Sequence, residues 1–247
     1  MTEFRMNSPE GKAILALARD GDYAHPGEEE ALRLAAGLVD RAGIQRILDV
    51  GCGRGGTADW FGRQGWGEVI GVDLDATSIE HARRQYPSQT FFVQDVSQLA
   101  TPHLAPFDLI YLITSFYAFP DQPLALHQMH QVCRPGGTLL IVDYTLRAGQ
   151  TVPSELGDEI GQPIVLDALA DTLAECGWSL SQQEDWTARF TGWYAALLYR
   201  FNLRRHVIIE LAGIEWFDFV MQWYGALHQA LLDQRLGGVA FTAKASG

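Results

Sequence analysis

Gly51-Cys52-Gly53-Arg54-Gly55-Gly56 follows an apolar run, Arg46-Ile47-Leu48-Asp49-Val50, and precedes a segment patterned as a helix through Trp60 and Phe61. Nothing else in the chain restricts its fold as much. Glycines between a strand and a helix permit a tight turn, and they let a ligand approach both the main chain and the helix N-terminus. A second apolar run, Glu68-Val69-Ile70-Gly71-Val72-Asp73, ends on an acid. That acid lies about 20 residues past the turn, a spacing at which a carboxylate can accept hydrogen bonds from ribose hydroxyls. Together the two features predict a nucleoside-binding site, without choosing among nucleoside cofactors.

The pattern continues. Thr90 to Gln94, Phe107 to Ile113 and Gly137 to Asp143 read as further buried strands, with a helix over Thr77 to Gln85. Strands separated by helix-sized intervals imply βαβ units and a parallel sheet. Trp178 to Asp185 and Gly238 to Lys244 bring the expected total to seven strands. A first helix is expected over Glu28 to Arg41, and another over Leu166 to Cys176 with Gly177 as its cap. Two apolar-rich helical segments, Thr187 to Phe201 and Arg205 to Gln234, precede the last strand. The expected fold class is therefore α/β: a mostly parallel seven-stranded sheet, helices on both faces, and a helical lid inserted before the last strand at about 187–235. We expect one domain, 1–247, with an N-terminal arm and helix (1–43), a cofactor-binding core (44–145) and a substrate-side half (146–247).

Composition narrows the partners. Lys and Arg total 18 against 30 Asp and Glu, a formal net charge of −12. A grip on nucleic acid usually needs a basic stripe, so no nucleic-acid partner is expected and a small-molecule acceptor is. Cys52, Cys133 and Cys176 match no metal spacing and read as reduced thiols. No apolar run of ~20 residues suggests a membrane span, and Met1 to Glu10 lacks the pattern of a signal peptide. A cytoplasmic location is the expectation. Oligomeric state is not legible.

The motifs carry a resemblance. Ile47-Leu48-Asp49-Val50-Gly51-Cys52-Gly53-Arg54-Gly55 resembles the first motif of class I, Rossmann-like S-adenosylmethionine-dependent methyltransferases, and Gly71-Val72-Asp73-Leu74-Asp75 resembles their second. Gln94-Asp95-Val96 resembles their adenine contact, and Arg134-Pro135-Gly136-Gly137 the turn before their fifth strand. A nicotinamide-dependent oxidoreductase would share the glycine turn but not all four motifs. The resemblance implies S-adenosylmethionine as cofactor. It puts Gly51, Cys52, Gly53 and Gly56 against the methionine moiety, Asp73 on the ribose, and Asp95 on the adenine amino group. Leu74, Val96 and Thr114 join the cofactor contacts; Asp49 helps balance the sulfonium charge, and Tyr23 covers it. For Asp95 a helix N-cap is an additional reading.

Methyl transfer is an in-line displacement, and holding the acceptor against the methyl group can supply up to ~7–11 kcal/mol. A base is needed only if the acceptor must lose a proton. Candidates for the catalytic side are His25, in the loop Asp22 to Gly27, Tyr117 after the fourth strand, and Tyr144 after the fifth. Asp143-Tyr144 resembles the Asp-Tyr pair of phosphobase (phosphoethanolamine) methyltransferases. The chain departs from that group at Ser115-Phe116-Tyr117, where an acidic segment would stand, and in Glu159 to Pro163, which lacks an arginine. Phe190, Trp193, Tyr194, Leu197, Leu198 and Phe201 fall on one helical stripe, and Trp216, Val220, Trp223 and Leu227 on another. Such stripes are core first and pocket wall second. Arg200, Arg204, Arg205 and His206 read either as an anion site or as a solvated turn, the latter being preferred. His127 and His130 read as surface residues, and no metal is expected. Methyl transfer to N or O leads. The alternatives are a nicotinamide-dependent oxidoreductase and a non-catalytic S-adenosylmethionine-binding protein; C-methylation stays open, and RNA methylation is opposed by the charge.

Overall fold

The computed structural model describes residues 4–101, 104, 106–146 and 149–247. The strands expected from the apolar runs all form: β1 (Arg46–Val50), β2 (Glu68–Asp73), β3 (Thr90–Val93), β4 (Phe107–Ile113) and β5 (Cys133–Leu146). β6 (Ile164–Val165) adds a two-residue strand beside β5, and β7 (Trp178–Asp185) and β8 (Gly237–Ala245) complete the sheet. The main path runs β3-β2-β1-β4-β5-β8-β7. β8 alone among these runs antiparallel to its neighbours, pairing with β5 from Thr138↔Lys244 to Thr145↔Gly237 and with β7 on its other side.

That order places the site. The chain builds outward from β1 to β3 and then returns to lay β4 on the opposite side of β1. Ligands in open α/β sheets bind at such a reversal, beyond the carboxyl ends of the strands. Alternate residues of β1 serve two cores. Ile47 packs with Val69, Leu109 and Leu140 on one face, while Leu48 and Val50 pack with Ile70, Ile110 and Ile141 on the other. α3 (Gly56–Arg63), α4 (Ala76–Gln85), α5 (Gln122–Val132) and α6 (Leu166–Glu175) follow strands β1, β2, β4 and β6. Gly55 heads α3 at φ +91°, and a Cβ there would meet Ala82, Phe91 and Tyr86 at 2.9–3.0 Å. Gly177, at φ +85°, closes the turn after α6 by donating to the Ala174 carbonyl at 3.1 Å.

Three features depart from the sequence reading. The arm contains a helix, α1 (Pro9–Arg19), ahead of the expected first helix. Ser8 caps it by accepting from the Gly11 N–H at 3.1 Å, Pro9 occupies its first turn, and Ile14, Leu15 and Ala18 bury one face. The next helix, α2 (Glu28–Ala36), stops five residues short of Arg41. The second lid segment is two helices, α8 (Arg205–Ala212) and α9 (Ile214–Leu232), separated by Gly213 at φ 97°, ψ 166°. Only glycine occupies that region readily.

α7 (Thr187–Leu203) packs on α9, and the aromatic stripes are buried as expected of core: Phe190, Tyr194 and Phe201 from α7, Trp216 and Trp223 from α9. The basic cluster is a correction. Arg200 donates to Glu28 at 2.8 Å and Arg204 to Asp20 at 2.6 Å, so both guanidiniums join the lid to the arm. Trp193 lies over Gly27, whose Cβ would stand 2.5 Å from the indole, and donates to Glu30 at 3.2 Å. The arm is pinned at its other side too, by Lys12 to Asp75 at 2.5 Å.

Two glycines of the lid should answer alanine with opposite signs. Gly213→Ala is expected to cost about 1–3 kcal/mol in urea unfolding, because its backbone conformation excludes a Cβ, which would also stand 3.3 Å from a Glu215 carboxylate oxygen. Gly192→Ala, in the middle of α7 with nothing near its Cβ, should gain about 0.5–1 kcal/mol. Equal effects at both positions would contradict the break between α8 and α9.

Candidate functional site

The glycine turn is held from two sides. Gly51 and Cys52 donate their N–H groups to the Val72 carbonyl at 2.8 and 3.0 Å, which ties the turn to β2. Gly51 sits at φ +78°, and a Cβ on it would stand 2.5 Å from the Cβ of Ser115. Ser115 in turn donates its hydroxyl to the Val50 carbonyl at 2.8 Å, so the loops after β1 and β4 lock together. A Cβ on Gly56 would press on the Asp22 carbonyl at 2.7 Å, while Gly53 faces open space. Asp22 clamps the arm onto this turn: its carboxylate takes Arg54 at 2.9 Å, His81 at 2.8 Å and the Tyr86 hydroxyl at 3.0 Å.

Asp73 lies half-buried at the end of β2. One oxygen accepts the Gly53 N–H at 2.8 Å and the other the Asp75 N–H at 2.9 Å. Each oxygen keeps acceptor capacity for a hydroxyl pair. Leu74 beside it is 71 % exposed, a flat-ligand surface at the end of a strand. Asp95 caps the short turn Val96–Gln98 by accepting from the Ser97 N–H at 2.8 Å, so the cap reading holds there. Thr114 takes φ +49°, rare for a β-branched residue, and donates its N–H to the Val142 carbonyl at 2.7 Å. The structure therefore brings Gly51, Cys52, Gly53, Gly56, Asp73, Leu74, Asp95, Val96 and Thr114 to one sheet edge.

Asp49 is buried in β1, opposite Tyr111 of β4. Its Oδ2 and the Tyr111 hydroxyl face each other without a hydrogen bond of good geometry. Burial is the main reason that its carboxyl titrates up at about 8, with Asp73 adding repulsion. An orphaned carboxyl under a glycine cradle suits a cationic ligand. His25 is buried as well and is no exposed loop residue. Its ring nitrogens meet the Pro26 carbonyl at 3.2 Å and the Thr57 hydroxyl at 3.1 Å. Burial and the charge of Arg19 lower it to about 3. Tyr23 packs edge-on to it at 5.6 Å and donates to Glu29 at 3.2 Å.

A second group gathers around the end of β5. Asp143 is fully buried and accepts from the backbone N–H groups of Phe116 (2.8 Å), Tyr117 (3.1 Å) and Tyr144 (2.7 Å). Burial raises it to about 7 while those donors pull the other way. Tyr117 stands edge-on to Tyr144, ring centres 5.2 Å apart. The Tyr144 and Tyr194 hydroxyls are hydrogen-bonded to each other, and Tyr224 stacks on Tyr194 at 5.8 Å. The sequence reading missed Ser115, Asp143 as organiser, and Arg19; the aromatic stripe contained Tyr194 but did not mark it as polar machinery.

A family model described as "Methyltransferase domain" matches residues 17–205. The 27-O-demethylrifamycin SV methyltransferase of Amycolatopsis mediterranei (strain S699) is 28% identical over 225 residues, covering 86% of this chain and 81% of that protein. Phosphoethanolamine N-methyltransferase 1 of Arabidopsis thaliana is 26% identical over 208 residues, covering 81% of this chain but 42% of that protein. The chain thus spans less than half of the plant enzyme. Among solved structures, the cyclopropane synthase MmaA2 of Mycobacterium tuberculosis superposes with a TM-score of 0.81 at 17% identity, over 96% of this chain and 94% of the other.

The buried acids make stability pH-dependent with a definite sign. Asp49 and Asp143 hold protons to about pH 8 and 7 when folded but release them near pH 4 when unfolded. Their contribution is complete at the acid end and is lost as pH rises towards 8. His25, lowered in the fold, acts only below pH 6.5 and in the opposite sense. Asp49→Asn should therefore flatten the stability profile between pH 6.5 and 8, where the wild-type slope from this group is up to about 1 kcal/mol per pH unit. An unaltered slope in urea unfolding would mean that Asp49 is ionised in the fold.

Proposed function

This chain belongs to the methyltransferase-domain family and uses S-adenosylmethionine, and from that premise we propose that it methylates an oxygen of a small molecule. The observation that carries the choice is the set of phenols, Tyr117, Tyr144 and Tyr194, gathered around the end of β5. Hydroxyls orient an acceptor oxygen. The likeness to the rifamycin enzyme, which spans most of both chains, supports the same reading. Nitrogen methylation of a phosphobase is the second reading, supported by the plant relative. It is disfavoured because Arg200 and Arg204 are already engaged by Glu28 and Asp20.

The residues present fit the cofactor: a cradle that a Cβ would fill at Gly51, a half-used carboxylate at Asp73, and an orphaned buried oxygen on Asp49. When bound, S-adenosylmethionine supplies a methyl group on cationic sulfur. We assign Asp73 to the ribose hydroxyls, Leu74 and Val96 to the faces of the adenine, and Asp95 to its amino group. Gly51, Cys52, Gly53, Gly56 and Thr114 line the methionine side, with Asp49 as the buried counter-charge. Tyr23, held on the arm, closes the sulfur side from solvent. His25 holds Thr57 and the arm in place; with both ring nitrogens engaged, we assign it no proton transfer. Tyr117 and Tyr144 hold the acceptor, and positioning supplies most of the acceleration.

We take 1–247 as one methyltransferase unit: the core, 44–145, carries the cofactor residues together with Tyr117 and Tyr144, and 146–247 is the substrate-side half with the lid. The three free, buried thiols suit a reducing, cytoplasmic setting. The charge of −12 suits a small-molecule acceptor over nucleic acid.

Thermal unfolding tests the cofactor side. S-adenosylmethionine or its demethylated product at 100-fold over its dissociation constant should raise the midpoint by roughly 5–10 °C, and NAD should not. Asp73→Ala should weaken binding of either sulfur compound by at least ~1 kcal/mol in calorimetry. A screen of hydroxylated and amine acceptors, read as demethylated cofactor formed, decides oxygen against nitrogen. With the acceptor found, Tyr144→Phe should lower turnover at least about tenfold while leaving cofactor affinity in place; equal turnover would remove Tyr144 from the site.

A further inference from the structure

Asp49 is 3 % exposed in β1, with Gly71 of β2 on one side and Tyr111 of β4 on the other. Its Oδ2 has no hydrogen-bond partner, and neither has the Tyr111 hydroxyl. A buried polar atom without a partner is costly and rare. Here two come from neighbouring strands, directly before the glycine turn.

The surroundings offer Asp49 no positive charge. The acid that acts on it, Asp73, has the same sign and is served by the N–H groups of Gly53 at 2.8 Å and Asp75 at 2.9 Å. Burial pushes the Cys52 thiol up, so that group is neutral. Lys12 bears on the thiol from the arm but is committed to Asp75 at 2.5 Å and Ser78 at 2.8 Å. Phe61 stacks on the Tyr111 ring at 4.4 Å, and both rings are fully buried.

A carboxyl so placed keeps its proton, because burial without a counter-ion disfavours the charged form. Its titration up at about 8 agrees. A cation brought to the glycine turn reverses that balance, and the carboxylate then needs a donor. Tyr111 has one to give, since its hydroxyl hydrogen is unspent. A ligand of the same shape without the cation leaves the pair as it was.

Resting on the assignment of Asp49 as the cofactor's counter-charge, we propose that Asp49 and Tyr111 discriminate by charge: Asp49 releases a proton to solvent when a cationic sulfur binds, Tyr111 turns its hydroxyl onto the new carboxylate, and S-adenosylmethionine is thereby held in preference to S-adenosylhomocysteine. Tyr111 is the positioning residue of the pair. The preference grows with pH, because a ligand that expels a proton binds more tightly as protons become scarce.

Calorimetry of the full chain in two buffers of unlike ionisation enthalpy counts the protons released. At pH 7, S-adenosylmethionine should release about one proton more than S-adenosylhomocysteine. From pH 6.5 to 7.5 its affinity relative to S-adenosylhomocysteine should rise by up to about tenfold. Asp49→Asn, an amide in place of a protonated acid of the same shape, should abolish both the excess proton and the rise. Tyr111→Phe should weaken S-adenosylmethionine about tenfold more than S-adenosylhomocysteine. Its urea stability without ligand should not fall, since the hydroxyl has no partner to lose. Equal proton release by the two compounds would assign Asp49 to the amino group they share and overturn the proposal. An excess proton that persists in Asp49→Asn would overturn it too, as would a Tyr111→Phe variant that loses stability but discriminates like the wild type. Binding of neither sulfur compound would overturn the cofactor assignment itself, and the proposal with it.

Discussion

The Asp143 carboxylate organises the region around the end of β5. It lies near the end of β5 and collects backbone donors from the segment after β4, at Phe116 and Tyr117, and from the next residue of its own strand, Tyr144. Leaving such donors unsatisfied in the interior costs about 1–3 kcal/mol each. The loop after β4 is therefore drawn onto β5, and Ser115 is carried with it onto the carbonyl of Val50 and the open side of Gly51. One buried group thereby sets the distance between the glycine turn and the tyrosines. If either loop moved, the two halves of the site would lose their common reference.

The sheet edge is open, and the arm and lid close it together. The arm reaches the glycine turn through Lys12 and Asp22 and the lid through Asp20, while Glu28 at the head of α2 meets Arg200. Exposed ion pairs of this kind are individually worth little. The aromatic contacts do more: Trp193 over Gly27 and the buried rings of α7 and α9 remove large apolar areas from water. The charges select the docking geometry that the apolar surface stabilises. They also leave Arg19 inside it.

Electrostatics divides the site in two. Around β1, burial keeps Asp49 largely protonated at neutral pH until a cation arrives, so its counter-charge is conditional on the ligand. Around β5, the tyrosines feel the guanidinium of Arg19 against the carboxylates of Asp143 and Glu159. His25 belongs to neither half, because its low pKa and two engaged nitrogens make it a strut of the arm.

Most of the glycine turn and its strand context was legible because its constraints are local. A strand, a run of glycines that need positive φ or close approach, and an acid at the next strand end occupy fixed positions along the chain: Gly51, Gly53, Gly55, Asp73 and Asp95. Strand and helix periodicity likewise made the sheet predictable, down to the inserted lid. The helix in the arm was signalled by Ser8 and Pro9 yet went unread, and the lid's break at Gly213 was hidden in a continuous apolar stripe. What the sequence by itself determined was the fold class, the methyltransferase family and its cofactor. Only the tertiary structure decided that His25 is buried, that Arg200 and Arg204 are spent on the arm, and that Tyr144 and Tyr194 meet. Those two come from β5 and α7, and no periodicity along a chain encodes a contact made by packing distant elements in a low-dielectric interior.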